Sequence, residues 1–204
     1  MSQAAQLRDG LAALSIALPA AAQEKLVAYC ALLAKWNKTY SLTALRDPQK
    51  AVSHHLLDSL AVLPHLPMSD GDAIADVGSG AGLPGIPLAI ARREWRITLN
   101  DSSQKRAAFL RQAAIELGMR NVETYEGRVE AWRPAARFAV VISRAFSDLA
   151  EFIAKCRHLV APGGVLAAMK GAAPAAQEAE CRVVELKVPL LDARRHLVLC
   201  RVGG

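Results

Sequence analysis

The first seventy residues place apolar side chains at the three- and four-residue intervals of an amphipathic helix. Three such stripes follow one another, formed by Leu7, Leu11, Leu14 and Leu18, by Leu26, Tyr29, Leu33 and Trp36, and by Val52, Leu56, Leu60 and Leu63. Turn-forming residues 37–41 interrupt the second stripe, and Asp47-Pro48 supplies an N-cap and a first-turn proline for the third. We therefore predict that residues 1–70 form an N-terminal helical extension packed on a main domain.

From Ala73 onward, short runs rich in β-forming residues alternate with helical ones, which is typical of an α/β fold with a parallel sheet. Strands are predicted near Ala73–Val77, Arg96–Asn100, Val122–Tyr125, Phe138–Ser143 and Val165–Met169, and helices near Pro84–Arg92, Ser103–Leu117 and Leu149–Val160. Gly118 is expected to cap a helix, and Pro162-Gly163-Gly164 to form a turn. Two closing strands are expected at Val183–Val188 and His196–Val202. They would give a mostly parallel sheet an antiparallel C-terminal edge. Residues 71–204 then form the main domain.

A glycine-dense turn between Asp76 and Gly85 reads Asp-Val-Gly-Ser-Gly-Ala-Gly-Leu-Pro-Gly. It follows an apolar run, and glycine lets the backbone approach a ligand closely because no Cβ intervenes. Read from Gly80, the spacing fits the dinucleotide motif Gly-x-Gly-x-x-Gly, with the acidic Asp101 about twenty residues on. Read from the predicted strand end at Asp76, the pattern is Asp-x-Gly-x-Gly-x-Gly, and Asp101 follows the second strand. The turn predicts a nucleotide-like ligand, and a nicotinamide-dependent oxidoreductase stays open as an alternative.

Composition and charge add a candidate partner. The 204 residues are 52% hydrophobic and 5% aromatic, as in a globular domain, and the formal net charge is +6. Most of the positive excess lies between Arg92 and Arg144. Such an excess favours a polyanionic partner, although an arginine-rich solvated surface would have the same composition. A non-catalytic RNA-binding assembly protein is therefore a second alternative.

The cysteines and histidines give no sign of a metal. The four cysteines Cys30, Cys156, Cys181 and Cys200 are far apart and form no Cys-x-x-Cys pair. We expect reduced, mostly buried thiols and not disulfides or zinc ligands. The adjacent His54-His55 would point in different directions on a helix, so no metal site is predicted.

The apolar run from Leu11 to Ala22 imitates a secretory signal with a small-residue cleavage site. Its leucines nevertheless recur at helical spacing, which an amphipathic helix explains and a signal does not. No run reaches the roughly 20 apolar residues that a membrane-spanning helix needs. We therefore expect a cytoplasmic protein with no membrane association.

Several sequence blocks occur in a fixed order along the chain. They are Trp36-Asn37-Lys38-Thr39-Tyr40-Ser41-Leu42-Thr43, His55-Leu56-Leu57-Asp58-Ser59-Leu60, Leu83-Pro84-Gly85-Ile86-Pro87-Leu88, Asp101-Ser102 with Lys105-Arg106 and Phe109-Leu110, Gly127-Arg128-Val129-Glu130, Ser143-Arg144-Ala145-Phe146, and Met169-Lys170-Gly171. From Trp36 to the C-terminus, the chain resembles the RsmG (GidB) family of 16S ribosomal RNA guanine-N7 methyltransferases. The resemblance implies a class I methyltransferase (Rossmann-like) sheet, S-adenosyl-L-methionine as cofactor, 16S ribosomal RNA or the small ribosomal subunit as partner, and a monomer.

The resemblance also implies the roles of individual residues. The cofactor-binding candidates are Asp76, Gly78, Gly80, Gly82, Leu83, Asp101, Ser102, Val129, Glu130 and Arg144. The RNA-binding candidates are Asn37, His55, Arg144 and Lys170, of which Arg144 and Lys170 would position the substrate. Simpler roles remain open: Val129 in the core, Arg144 in a surface ion pair, Lys170 as a solvated strand end, and His55 orienting the helical extension. Guanine N7 already carries a lone pair, so we expect no general base.

Overall fold

A computed structural model of the chain describes residues 1–146, 148–172 and 181–202, which fold around a seven-stranded sheet. The strands are β1 (Ala73–Val77), β2 (Arg96–Asp101), β3 (Val122–Glu126), β4 (Phe138–Ser143), β5 (Val160–Lys170), β6 (Cys181–Leu186) and β7 (Arg195–Arg201). Their order across the sheet is β3-β2-β1-β4-β5-β7-β6. Strands β1 to β5 run parallel, and β7 is antiparallel to both of its neighbours. The predicted α/β fold with a mostly parallel sheet is confirmed.

The expected antiparallel C-terminal edge is also confirmed, because β6 and β7 form an antiparallel pair at one side of the sheet. Strand β7 lies inside the sheet between β5 and β6, and β6 forms the edge. Residues His196 to Val198 of β7 are all buried, as an internal strand requires. In β6, by contrast, Arg182 and Glu185 are exposed, and charged side chains of this kind protect a sheet edge from pairing with another chain.

Helices cover both faces of the sheet. They are α1 (Gln3–Ala13), α2 (Ala20–Tyr40), α3 (Pro48–Ala51), α4 (Asp58–Leu60), α5 (Gly85–Ala91), α6 (Gln104–Glu116) and α7 (Leu149–Cys156), with a π-helical turn at Val52–Leu57 and 3-10 turns at Leu63–His65, Val129–Ala131 and Arg157–Leu159. Strand residues alternate between the two faces, as the pleat of a strand requires. Ile74 and Ile142 pack with the N-terminal helices, α5 and α6, whereas Ala75 and Val141 pack with α7.

Two local predictions were wrong. Residues 37–41 do not interrupt the second helix, because α2 continues to Tyr40 and ends only at Ser41, whose φ of 51° is left-handed. The expected turn at residues 162–164 lies within β5, where the register against β4 shifts between Phe138 and Val140. That irregularity accommodates the glycines inside a strand, as β-bulges commonly do. The predicted cap at Gly118 is confirmed by its φ of 59° after α6.

The expectation of four reduced thiols was also wrong, because Cys181 and Cys200 form a disulfide. The two residues lie directly opposite each other in the antiparallel pair of β6 and β7. Their separation of 19 residues gave no hint of this pairing, since it depends on the strand register. Cys30 and Cys156 are free and buried, and burial raises the pKa of each thiol to about 12.

The N-terminal helices share one continuous core with the sheet. Leu7 of α1, Leu26 of α2 and Leu56 of the π-helical turn are fully buried together with Ile74 of β1 and Phe109 of α6. The run that resembled a signal is not a single helix, because α1 ends at Ala13 and α2 begins at Ala20; Leu11 lies in the core, and Leu14 and Leu18 pack against it. Within the described residues, none of the helices combines the length and the apolar character needed to cross a bilayer.

One side chain of α2 is bonded directly to the glycine turn. The hydroxyl of Tyr29, which is fully buried, donates a 2.6 Å hydrogen bond to the carbonyl oxygen of Ala81. Burial raises the pKa of this phenol well above its ordinary value, so it remains a donor. The helical extension therefore helps to fix the turn that follows β1.

We predict that Tyr29→Phe destabilises the fold by about 1–3 kcal/mol, because the buried Ala81 carbonyl loses its partner while the ring packing is kept. Urea unfolding of the variant and the parent measures this difference. Tyr40→Phe is the matched control, since Tyr40 is 45% exposed, and we expect its free energy of unfolding to change by less than about 0.5 kcal/mol. Equal stability of the two variants would show that the hydrogen bond from Tyr29 to Ala81 does not stabilise the fold.

Candidate functional site

The turn between β1 and α5 has a backbone shape that favours glycine. The φ angles of Gly78, Gly80 and Gly82 are 67°, 61° and 89°, all in the left-handed region. A Cβ placed on Gly78 would lie 2.7 Å from the Cβ of Ala145, which follows β4. The backbone at Gly78 is therefore confined between two strand ends, and this close packing leaves no room for a larger residue.

The carboxylate of Asp76 lies beneath the turn and holds both of its ends. Its Oδ2 accepts hydrogen bonds from the Ser79 hydroxyl at 2.6 Å and from the Gly85 N–H at 2.9 Å. A Cβ on Gly85 would lie 2.7 Å from the same oxygen. Burial raises the pKa of Asp76 to about 6, and the two hydrogen bonds oppose that shift. Asp76 therefore shapes the turn from behind.

Asp101 ends β2 beside the turn, because β1 and β2 pair in parallel and their last residues meet at one edge of the sheet. Its Oδ2 accepts from the Gly80 N–H at 3.0 Å, and its Oδ1 accepts from the Ser103 N–H at 2.8 Å. The guanidinium of Arg106 lies 3.6 Å from Oδ2. Each carboxylate oxygen has two lone pairs, so acceptor capacity remains.

The neighbouring Asn100 fixes the far wall of the site. Its side-chain Nδ2 donates to the carbonyl oxygens of Tyr125, at 3.2 Å, and Gly127, at 2.8 Å. These bonds tie the end of β2 to the end of β3. The buried polar side chain next to Asp101 thus has two backbone partners.

An open cleft lies above these strand ends. Five of the predicted cofactor residues line it: Gly78, Asp101, Ser102, Val129 and Glu130. Val129 also belongs to the core under α7, so its two possible roles coexist. The other predicted residues on the turn, Asp76, Gly80, Gly82 and Leu83, do not line the cleft. Asp76 and Gly80 support its shape through hydrogen bonds, and Leu83 is buried in the core.

Arg106 and Phe146 are among the residues lining the cleft that sequence reasoning missed. Both were inside sequence blocks that carried the resemblance, but neither was assigned a role. The position of Arg106, five residues after Asp101 at the start of a predicted helix, was the available signal. Phe146 gave none, because its place depends on how the chain turns after β4.

Arg144 lies in a second pocket next to the cleft, together with Lys170, Arg195 and Asp58. The Asp58 carboxylate accepts hydrogen bonds from Arg144 Nη1 and Arg195 Nε, each at 3.0 Å. Arg144 Nη1 also donates to the carbonyl oxygen of His54 at 3.3 Å. Burial raises the pKa of Asp58, while both arginines oppose the shift. With three cations around one buried acid, the pocket is positively charged.

Two of these cations come from neighbouring strand ends and the third from β7. Arg144 follows β4, Lys170 ends β5, and Arg195 begins β7, which runs antiparallel to β5. Lys170 donates to the carbonyl oxygen of Phe146, and burial lowers its pKa. Arg195 was missed from the sequence because its place depends on the register of β7 against β5.

His55 and Asn37 meet in an adjoining pocket between α2 and the π-helical turn. His55 also lines the pocket of Arg144, so the four predicted RNA-binding residues form one continuous region. Burial, reinforced by the charge of Arg144, lowers the pKa of His55 to about 4, and its Nδ1 has no partner among the described residues. Asn37 accepts from the Thr43 N–H at 2.8 Å and shapes the loop after α2.

Residues 22–197 match the family model described as GidB, rRNA small subunit methyltransferase G. The chain belongs to the GidB family. Proteins named ribosomal RNA small subunit methyltransferase G are similar to it along nearly their whole length. The protein of Nitrosospira multiformis is 48% identical over 218 residues, covering 100% of both chains. That of Methylobacillus flagellatus is 51% identical over 198 residues, covering 95% of each.

Solved methyltransferases share the fold of this GidB-family chain. An S-adenosylmethionine-dependent methyltransferase from Aquifex aeolicus aligns with a TM-score of 0.58 at 17% identity, covering 79% of this chain and 97% of that one. A second, from Thiobacillus denitrificans in complex with S-adenosyl-L-homocysteine, aligns with a TM-score of 0.50 at 20% identity, covering 78% of this chain and 58% of that one. The sheet is therefore that of a class I methyltransferase.

The raised pKa of Asp76 predicts a pH-dependent stability. The folded chain keeps this proton up to about pH 6, whereas the ordinary pKa is 3.8, so between these values the folded state binds more protons than the unfolded state. The contribution of Asp76 to the free energy of unfolding therefore falls as pH rises through this window, by about 3 kcal/mol in total. Asp76→Asn keeps an acceptor for Gly85 but does not titrate.

We expect the free energy of unfolding of Asp76→Asn to rise relative to the parent between pH 4 and pH 7. Urea unfolding at four pH values in this range measures the difference. Glu24→Gln, at an exposed position of α2, is the control and should track the parent. If the difference between Asp76→Asn and the parent is constant with pH, the proton is held elsewhere.

Proposed function

We propose that the chain transfers a methyl group from S-adenosyl-L-methionine to N7 of a guanine in 16S ribosomal RNA. The observation that carries the proposal is that two pockets adjoin: a cleft over the glycine turn, which Asp101 and Ala145 line, and a cationic pocket that the preceding residue, Arg144, lines. Membership of the GidB family supports the same activity. A ribosomal substrate implies a cytoplasmic site of action.

The residues of the cleft fit S-adenosyl-L-methionine. Gly78 brings backbone without a side chain to the wall of the cleft, and the remaining lone pairs of Asp101 suit the two hydroxyls of a ribose. Val129 supplies an apolar contact for the flat adenine, with Glu130 at its rim. Asp76 acts indirectly, since it holds the turn and does not line the cleft.

The bound cofactor supplies a methyl group on a positively charged sulfur. Guanine N7 is unprotonated, so its lone pair can form the new N–C bond as the C–S bond breaks, and no proton has to leave. The protein therefore needs no general base. Its residues have to hold the base in line with the methyl group and keep water out, and orientation of this kind can supply about 7–11 kcal/mol of the barrier.

The cationic pocket would hold the RNA next to the cleft. Arg144 and Lys170 are suited to bind phosphate or the acceptor edge of guanine, and their fixed partners limit their motion. His55 is neutral near pH 7 because of its lowered pKa, so it would contribute a hydrogen bond and not a charge. Asn37 would act indirectly, because its amide is engaged by the loop at Thr43.

The structure fits a nicotinamide-dependent oxidoreductase or a non-catalytic RNA-binding protein less well than it fits a methyltransferase. A dinucleotide-binding sheet has the strand order 3-2-1-4-5-6, whereas here an antiparallel β7 is inserted between β5 and β6. Strand β1 ends at Val77, which supports the reading of the glycine motif from Asp76 and not from Gly80. An RNA-binding protein without activity would have no need for the cleft over the turn.

The test is to incubate the purified chain with methyl-labelled S-adenosyl-L-methionine and with small ribosomal subunits or 16S RNA from cells that lack the gene. We expect labelled N7-methylguanosine in hydrolysates of the RNA. A thermal-shift comparison of S-adenosyl-L-methionine with NAD should show stabilisation by the former alone. Label at another atom, or no label on either substrate, would refute the proposed reaction.

We predict that Arg144→Ala lowers kcat/KM by about 100-fold or more, because the substrate loses its positioning group. Asp58 keeps its bond to Arg195, so the fold should persist and the dissociation constant of S-adenosyl-L-methionine, measured by calorimetry, should change less than about threefold. Arg144→Lys is the matched control and should recover part of the activity. Unchanged turnover in Arg144→Ala would remove the residue from the site.

A further inference from the structure

The basic residues between Arg92 and Arg144 do not all lie at the cofactor end of the sheet. Arg106 and Arg128 line the cofactor cleft, but Arg93, Arg96 and Arg120 line a separate cleft. Arg96 begins β2 and Asp101 ends it. At about 3.3 Å per residue, the two positions are about 17 Å apart, so the two clefts lie at opposite ends of the parallel strands.

The second cleft lies between the start of α2, the end of α5 and the connection from α6 to β3. It encloses about 740 Å³, against 240 Å³ for the cofactor cleft, which places it within the range of about 300–1,000 Å³ that ligand pockets occupy. We name it the basal cleft. Its charged lining residues among those the structure describes are Lys25, Arg93, Glu94, Arg96 and Arg120.

The charge of the basal cleft is strongly positive. Four cationic side chains face a single acid, Glu94, which lies 3.9 Å from the guanidinium of Arg92, outside the cleft. The start of α2 also borders the cleft through Pro19, Ala21 and Ala22, and no side chain caps this helix. The positive end of a 21-residue helix therefore adds to the potential of the four side chains.

The backbone that carries these arginines is fixed. The side-chain Nδ2 of Asn121 donates to the carbonyl oxygens of Ala89, Arg92 and Trp95 at 3.1–3.3 Å. These bonds join the connection before β3 to the one before β2. Arg93 and Arg120 thus project from a rigid frame, and binding to a rigid frame costs less ordering entropy.

We propose that the basal cleft binds phosphate groups of the ribosomal RNA backbone and forms a second RNA contact, remote from the methylated guanine. The inference rests on the proposed function, because that function makes RNA the partner. Arginine and lysine side chains on one face, with an uncapped helix start beside them, are the groups that bind phosphate oxygens in protein–nucleic acid complexes. No base edge has to be read there, since backbone contacts fix register and orientation.

A contact at the basal cleft has a distinct kinetic signature. It is the same before and during methyl transfer, because the cleft lies at the far end of β2 from Asp101. Interactions of equal strength in the ground state and the transition state change KM and leave kcat unchanged. Loss of Arg144, in contrast, should lower kcat.

The test uses the double variant Arg93→Gln/Arg120→Gln in the full chain, with unmodified 16S RNA and with assembled small subunits. The dissociation constant for 16S RNA is measured without cofactor over a series of salt concentrations, and kcat and KM are measured separately. Removing two phosphate contacts should weaken binding about tenfold at 50 mM salt and reduce the salt slope of log K by about 1.4–1.8. KM should rise about tenfold, while kcat and the affinity for S-adenosyl-L-methionine stay unchanged.

Two controls separate charge from side-chain loss. Arg93→Lys/Arg120→Lys keeps both charges and should retain most of the affinity, because lysine binds phosphate as a point charge. Arg8→Gln removes one exposed charge from α1, where Asp9 lies 3.3 Å away, and should match the parent.

Parental affinity and salt slope in the double glutamine variant would overturn the inference. So would an effect seen with assembled subunits but absent with the naked RNA, because the partner would then be a protein. Failure of the proposed function is a separate result: the parent chain would place no methyl group on guanine N7, whereas the RNA-binding measurement would still decide whether the basal cleft holds phosphate.

Discussion

The hydrogen bonds that the buried Asp76 carboxylate accepts from Ser79 and Gly85 hold the glycine turn in one shape. Two further contacts at this end of the sheet follow from that shape. It directs the Gly80 N–H at Asp101, and it presses Gly78 against the end of β4. A buried carboxylate is costly, and here the cost appears as a pKa of about 6. Asp76 occupies this position because an apolar side chain could not accept the hydrogen bonds from Ser79 and Gly85 that join the two ends of the turn.

A second buried acid, Asp58, lies in the cationic pocket. It comes from the helical extension and bonds to arginines that follow β4 and begin β7, so one carboxylate fixes three separate parts of the chain. The residue after Arg144 already lines the cofactor cleft. The short segment after β4 therefore lines both pockets. Two arginines on one acid also leave a positive charge for an anionic substrate.

Elements whose signal is local were predictable from the sequence, whereas those set by strand register were not. The bounds of β1 and β4 matched the predictions, because each is a short apolar run with polar punctuation. The strand end at Val77 decided how to read the glycine motif. The pairing of Cys181 with Cys200 and the inward place of Arg195 both depend on how β7 pairs with its neighbours. Nothing within those segments records the register, since residues 187–194 separate β6 from β7 and residues 171–194 separate β5 from β7.

The distribution of positive charge over the surface also depends on the fold and not on the local sequence. In a parallel α/β fold, the start and the end of each strand lie at opposite edges of the sheet, so basic residues adjacent in sequence are separated in space. Helix α2 spans this distance, because its 21 residues measure about 30 Å. It borders the basal cleft at Lys25, bonds the glycine turn through Tyr29 and holds the loop after α2 through Asn37. One rigid element thus sets the distance between the three regions, which a flexible extension could not do.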